Sequence, residues 1–416
     1  MGNDNIIYVN WIYHIPGIGR TRLRELLQVA GSAEDVWRMT GSELRERRDL
    51  LQNGKVTDSL LKKVEAYKGV ITPQALWDEI RAQGIDVFGE QDPGYPERLR
   101  EIADRPAVLY CKGDQAAGRD ARIPSIAVIG SRICSEYGRM TASRIGRLSA
   151  EMGMELISGM AVGIDGIAQK AALQAGGRVS AVLGSGVDVC YPVENKELYV
   201  NLLHKGRILS EYTPQTQPKP QFFPPRNRII SGLADAVIVV EAKEKSGTMI
   251  TVDMALEQGR QVYIIPGRLT DPLSAGCNRL ISEGAQIVWN LSRTLEEIYS
   301  QMRYGVTGQI GGTRPWEEAR RGEEAKAGRE AECRKKDQAS PDKVASQSIL
   351  AALKTRGERI VYEALDYYPR TQQEIYEALA ERSDLPFTKM QEILLQMELE
   401  GLIGQEGGRF FLTREA

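Results

Sequence analysis

The 416 residues include only two histidines, His14 and His204. That excludes a histidine-rich metal centre, and a Ser–His–Asp or Cys–His site would have to use one of these two. The five cysteines (Cys111, Cys134, Cys190, Cys277 and Cys333) are odd in number, far apart and form no CxxC pair. This argues against a disulfide framework or zinc ribbon and for a reducing compartment. No apolar run reaches the roughly 18 residues that a membrane helix needs. The opening MGNDNIIYVNWIY lacks a basic region and a small-residue cleavage site, so the expected location is the cytoplasm. Neither sign of charge dominates: 54 Lys+Arg face 56 Asp+Glu, for a formal net charge of −2. A polyanionic partner would have to meet a local patch, since the bulk field would not attract it.

What is present suffices for real cores: 42% of residues are hydrophobic. The length suggests two to four domains. Residues 1–70 read as a helical domain broken at Ile15-Pro16-Gly17-Ile18-Gly19. Residues 71–302 alternate β-branched runs (Ile126–Ile129, Val179–Leu183, Val237–Val240, Val262–Ile265) with amphipathic stretches such as Tyr137–Met152. Strands alternating with helices predict an α/β fold with a parallel-sheet core and right-handed crossovers. Residues 303–346 are charge-rich without apolar periodicity and read as a flexible linker. Residues 347–416 recover a compact pattern of three helices and a hairpin around Gly407-Gly408, a winged helix.

Five segments of the central block carry chemistry. Ile129 runs into Gly130-Ser131-Arg132, a strand-to-helix turn of the kind that receives phosphate on free amides, with a guanidinium beside it. An ordinary turn with a solvated arginine fits the tripeptide equally well. Gly159 and Gly163 in SGMAVGID, and Gly186 in LGSGVD, mark two further Gly-containing turns after strands. Gly159 and Gly163 fit helix-on-sheet packing as well as ligand contact, and Asp165 reads as a brace and not a base. Three such turns on one sheet edge should converge at a crevice. In Phe222-Phe223-Pro224-Pro225-Arg226-Asn227-Arg228, the arginines with Arg132 suit consecutive phosphates. Phe222, Phe223 or Tyr191 offer faces for bases. The alternative is that phenylalanines fill the core and the arginines pair with Glu211 or Asp235. Finally Ser246-Gly247-Thr248 opens a helix near Lys243 and Lys245, again an anion-type start. A Walker lysine, a metal triad and a carboxylate pair at acid/base spacing are all missing, so a phosphodiester binder is expected, not a catalyst, and no cofactor.

In this order, the motifs IAVIGSR, SGMAVGID, VLGSGVDVCYP, ILSEY, FPPRNRIISGLADAVIVVEA, SGTMIT and IIPG with CNRLISEGA closely resemble the DNA-processing protein A (DprA/Smf) family, over roughly Asp92–Trp289. The resemblance implies an extended Rossmann-like domain that binds single-stranded DNA. It also implies a homodimer that protects incoming strands and loads RecA during natural transformation. It assigns the DNA pocket to Gly130, Ser131, Arg132, Arg226, Asn227 and Arg228, and a dimer role to the region around Asn278–Ile281. Two positions depart from the pattern: Gln169 stands where many relatives have histidine, and Val193 where many have a basic residue. Lys170 or Lys196 is the candidate to compensate. The alternative is a nucleotide phosphoribohydrolase of a related Rossmann-like family, whose loop carries a glutamate where this chain has Thr251.

The N-terminal break, followed by Arg20, Arg22 and Arg24, resembles a helix-hairpin-helix that offers amides to one phosphate. A plain chain reversal fits as well. Residues 347–416 hold eight basic against twelve acidic residues, with Glu392, Glu398 and Glu400 on the third helix. That acidity predicts weak duplex binding and favours protein contact or regulation.

Overall fold

The computed structural model describes residues 3–53, 55–114, 123–304, 355–365, 370–380, 385–400, 402–406 and 409–412. The chain divides into two compact units, Met1–Ile310 and Gly311–Ala416. The expected linker 303–346 lies outside the described residues except for its first two, and so does the turn at 407–408.

The first unit opens with six helices: α1 (Asn3–Tyr13), α2 (Arg20–Ala30), α3 (Ala33–Arg38), α4 (Gly41–Leu50), α5 (Asp58–Lys68) and α6 (Pro73–Ala82). Their starts are written in the sequence. Ser32, Thr40, Thr57 and Thr72 each accept a bond from a first-turn amide, and Thr40 forms a full capping box with Glu43. The helices close over Trp11, Ile12, Leu26, Val36 and Leu61, all buried.

The rest of this unit is β1 (Ile85–Gly89), α7 (Glu97–Arg100), β2 (Val108–Gly113), β3 (Ser125–Ile129), α8 (Glu136–Glu151), β4 (Glu155–Ser158), α9 (Ile164–Gln174), β5 (Arg178–Val182), α10 (Lys196–Lys205), β6 (Arg207–Ser210), α11 (Phe223–Leu233), β7 (Ala236–Val239), α12 (Gly247–Glu257), β8 (Gln261–Ile264), α13 (Ala275–Ser282), β9 (Gln286–Ile287) and α14 (Leu291–Tyr304). They build a nine-stranded sheet in the order β1-β2-β6-β5-β4-β3-β7-β8-β9. From β6 to β9 every pairing is parallel, while β1 and β2 add antiparallel strands at one edge. The expected parallel core is therefore present, with an antiparallel extension. The central strands are buried throughout and rich in Ile, Val and Ala, as burial on both faces demands. One core cluster joins them to α11 and α12 through Ile129, Val237, Val239, Ile229, Leu233 and Val252.

Chain order reverses at β3. The chain first steps to β4, β5 and β6 on one side, then returns to β7 on the other. The crevice beyond the carboxyl ends of β3 and β7 is the topological switch point, where open α/β sheets place ligands. Among the described residues no helix is long and apolar enough to cross a membrane.

The second unit contains α15 (Arg356–Ala364), β10 (Arg370–Thr371), α16 (Gln372–Ala380), α17 (Phe387–Leu399), β11 (Ile403–Glu406) and β12 (Arg409–Leu412). Its three strands pair antiparallel in the order β10-β12-β11. A separate core of Val361, Ile375, Met390, Leu394, Met397 and Phe410 holds it together. Three helices with a small sheet match the winged helix read from the sequence.

Candidate nucleic-acid interface

The expected loops do converge on one sheet edge, but their amides are not open to a ligand. The Asp165 carboxylate accepts from the Gly159 amide at 3.2 Å and also bonds the Gly130 amide. Burial raises the Asp165 carboxyl above its ordinary range, while Arg226 and these hydrogen bonds pull against the rise. The Ser131 amide donates to the Glu241 carbonyl at 2.8 Å, and its hydroxyl donates to the Ile133 carbonyl. The Gly186 amide donates to Thr216 at 2.9 Å. The amide cradle expected at Gly130, Ser131, Gly159 and Gly186 is thus closed by the protein's own oxygens. The reason is general: a buried N–H without a partner is costly, so a packed loop finds one internally.

The glycines of these loops serve close packing. Gly163 lies at φ +85°, and a Cβ there would collide with the Ser131 and Arg132 carbonyls. A Cβ on Gly130 would come within 2.7 Å of Ile164. Together they press the β4–α9 loop against the β3–α8 loop and fix the backbone that carries Arg132. Gln169 is fully buried; it accepts from the Met160 amide at 3.1 Å and donates to Ser180 at 3.0 Å. It braces the loop and does not reach outward. Val193 is exposed, Lys170 is paired with Glu197 at 2.9 Å, and Lys196 is exposed.

What the edge carries is a group of half-buried rings with cations against them. Arg132 is exposed, and its guanidinium lies 5.7 Å from the centre of the Phe223 ring. Arg226 meets the same ring at 5.8 Å. Tyr191 tilts against Phe223 at 5.6 Å, and Tyr212 lies against Phe222 at 4.4 Å with Lys219 over that ring at 5.9 Å. Such a strip combines flat faces for stacking with positive charge.

The three arginines have three different roles. Arg132 alone is solvent-facing. Arg226 is buried and donates to the carbonyls of Gly159, at 3.0 Å, and Val182, which ties the ends of β4 and β5 together. Burial pushes its pKa down to about 10, with Asp165 opposing the shift. Asn227 lies beside it, its side-chain oxygen 3.3 Å from Arg226 Nε. Arg228 does not join the strip, contrary to expectation. It is buried, bidentate to Glu211 at 2.8 Å, and bonded to the Asp104 and Pro225 carbonyls. Its charge is spent on an internal carboxylate; Asp235, the other candidate partner, pairs with Arg98 instead.

One anion-type helix start remains uncapped. Ser246 is the N-cap of α12, yet its hydroxyl makes no capping bond and has no partner. Gly247 next to it is exposed, as are Lys243 and Lys245, while Thr248 is buried.

Sequence reasoning missed Glu241. Its side chain is buried at the switch point, accepting from the Ser135 amide at 3.0 Å and from the Ser135 hydroxyl. The available signal was an acidic residue directly after the apolar run Ala236–Val240. It also missed Asn195, whose amide holds the Met160 and Ala161 carbonyls at 3.0 and 3.1 Å.

In the helical region, α2 starts at Gly19 without a side-chain cap, and Arg22 donates to the Gly17 carbonyl at 2.5 Å. A cleft of about 630 Å³ runs from Gly17, Gly19 and Arg22 to Tyr212, Pro224 and Arg228.

Comparisons with known proteins agree with this architecture. Residues 86–299 match the family model described as DNA recombination-mediator protein A, and residues 336–409 match the DprA winged helix domain. The chain is 40% identical over 218 residues to DNA processing protein DprA of Bacillus subtilis strain 168, covering 52% of this chain and 73% of that protein. It is 44% identical over 215 residues to DNA processing protein DprA of Streptococcus pneumoniae strain R6, covering 52% and 75%. The solved structure of DNA processing protein A from Streptococcus pneumoniae superposes with a TM-score of 0.59 at 35% identity, over 70% of this chain and 97% of that one.

Proposed function

This chain belongs to the DNA recombination-mediator protein A family, and we propose that it grips unpaired DNA along the strip of rings and cations at its switch-point edge. The observation that carries the reading is the meeting of Arg132 and Arg226 on the one ring of Phe223, with Tyr191 beside it. Bases stack on such rings whatever their identity, at about 1–3 kcal/mol each. Arg132, with Lys219, Lys243 and Lys245 nearby in the loops, supplies phosphate neutralisation. The uncapped start at Ser246, Gly247 and Thr248 provides a seat for one backbone phosphate. Arg226, Asn227 and the loop glycines act one step back, by holding Phe223 and Arg132 in place.

In this reading the protein is non-catalytic. It works in the cytoplasm as a homodimer, covering incoming single strands and handing them to RecA during natural transformation. The acidic winged helix then contacts protein, not duplex. The phosphoribohydrolase reading gains no support from the site, since the position of the required glutamate is Thr251, buried within α12.

The test is a competition at fixed salt between a labelled dT oligonucleotide and unlabelled single- or double-stranded competitors. Displacement by single strands at far lower concentration than by duplex is expected. Equal displacement by both would contradict the reading.

A further inference from the structure

The switch-point crevice between β3 and β7 is where a Rossmann-like sheet would seat a nucleotide phosphate, against the positive end of the helix that follows β3. Here that helix is α8, and its seat is already taken by an anion. The Glu241 side chain is 1% exposed and accepts from the Ser135 amide at 3.0 Å and from the Ser135 hydroxyl. The Ser135 hydroxyl in turn accepts from the Gly138 amide at 3.1 Å, so Ser135 links the carboxylate to the first turn of α8. A Cβ on Gly138 would collide with that carboxylate, which therefore lies directly over the first turn. The Glu241 backbone adds a second tie, accepting from the Ser131 amide at 2.8 Å.

We propose that Glu241 is a built-in counter-ion that keeps free nucleotides and inorganic phosphate out of the switch-point crevice, and so determines the specificity of the edge for polymer. A phosphate entering the crevice would face the negative charge of Glu241 and find the Ser135 and Gly138 amides already in use. A polynucleotide needs none of those donors. It can lie across the outer strip, on the exposed Arg132 and Tyr191 and the half-buried Phe223, without entering. The inference rests on the single-strand reading above and adds what the site refuses.

The experiment uses the full chain with Glu241→Gln and Glu241→Ala. Binding of dTMP and of inorganic phosphate is measured by calorimetry, and binding of a dT oligonucleotide by fluorescence anisotropy. The wild type should bind neither small anion. Removing the charge at constant size, in the Gln variant, should raise phosphate or dTMP affinity at least about tenfold, and the Ala variant should gain more. Oligonucleotide affinity should change less than about threefold in both. If the Ala variant fails to fold, the Gln variant still decides. A folded Gln variant with no gain in small-anion affinity would overturn the proposal, as would dTMP binding by the wild type. Failure of the wild type to bind the oligonucleotide would instead overturn the single-strand reading and leave the small-anion result standing by itself.

Discussion

At the scale of single residues, the site separates charges that face solvent from charges that hold the loops. Arg228 and Glu211 form a buried bidentate pair. Replacing Arg228 with Ala strands the carboxylate, so Arg228→Ala should lose about 3–5 kcal/mol of stability, read from denaturant unfolding. It should leave the salt dependence of DNA binding unchanged in whatever fraction stays folded. The ring prediction is different in kind. Phe223→Ala removes the common face of Arg132, Arg226 and Tyr191 and should weaken dT binding by about 1–3 kcal/mol, read by anisotropy, with little change in salt slope. His14 supplies a pH signature. Burial lowers its pKa below the ordinary 6.5, so the native state holds it neutral. Its contribution to stability is therefore complete above about pH 6.5 and is lost as pH falls from there through the folded value. A thermal-melt series from pH 7.5 to 5 should show that decline, and His14→Gln should flatten it.

At the scale of elements, the loops behave as one packed unit. Gly163 needs its positive φ and has no room for a Cβ against the Ser131 and Arg132 carbonyls. Gly163→Ala should cost about 2–3 kcal/mol in strain and displacement, and should weaken oligonucleotide binding by shifting Arg132. Unfolding and anisotropy measured on the same sample check both halves. Elements were legible where the pattern is local. The run Ile126–Ile129 and the amphipathic stretch Tyr137–Met152 correspond to β3 and α8 within one residue at each end, because apolar periodicity and the Ser135 cap act within the segment. The antiparallel extension of β1 and β2 was not legible. Its register, Tyr110 opposite Ser210, joins residues a hundred positions apart, and no local pattern encodes such a pairing. The same holds for Glu241 at the start of α8, and for the choice of Glu211 over Asp235 as the partner of Arg228. The sequence marks where charges stand but not which of them meet. Arg132 stands out as a candidate in the sequence and is exposed in the fold, where its guanidinium lies 5.7 Å from the Phe223 ring.

At the scale of the whole molecule, two separately packed cores and an acidic winged helix suggest a division of labour. With eight basic against twelve acidic residues in 347–416, the winged helix is expected to add little to phosphate contact. A chain ending at Tyr304 should keep its affinity for a dT oligonucleotide within about twofold of the full chain at equal salt, measured by anisotropy. Binding then belongs to the sheet edge of the first unit, and the exposed charge of Arg132 is its most direct probe. The decisive measurement is the affinity of a labelled dT oligonucleotide for the full chain and for Arg132→Ala across a salt series. Losing one phosphate contact should weaken binding about tenfold at low salt and make the slope of log K against log salt shallower by about 0.7. An Arg132→Ala variant with wild-type affinity and wild-type slope would contradict the account.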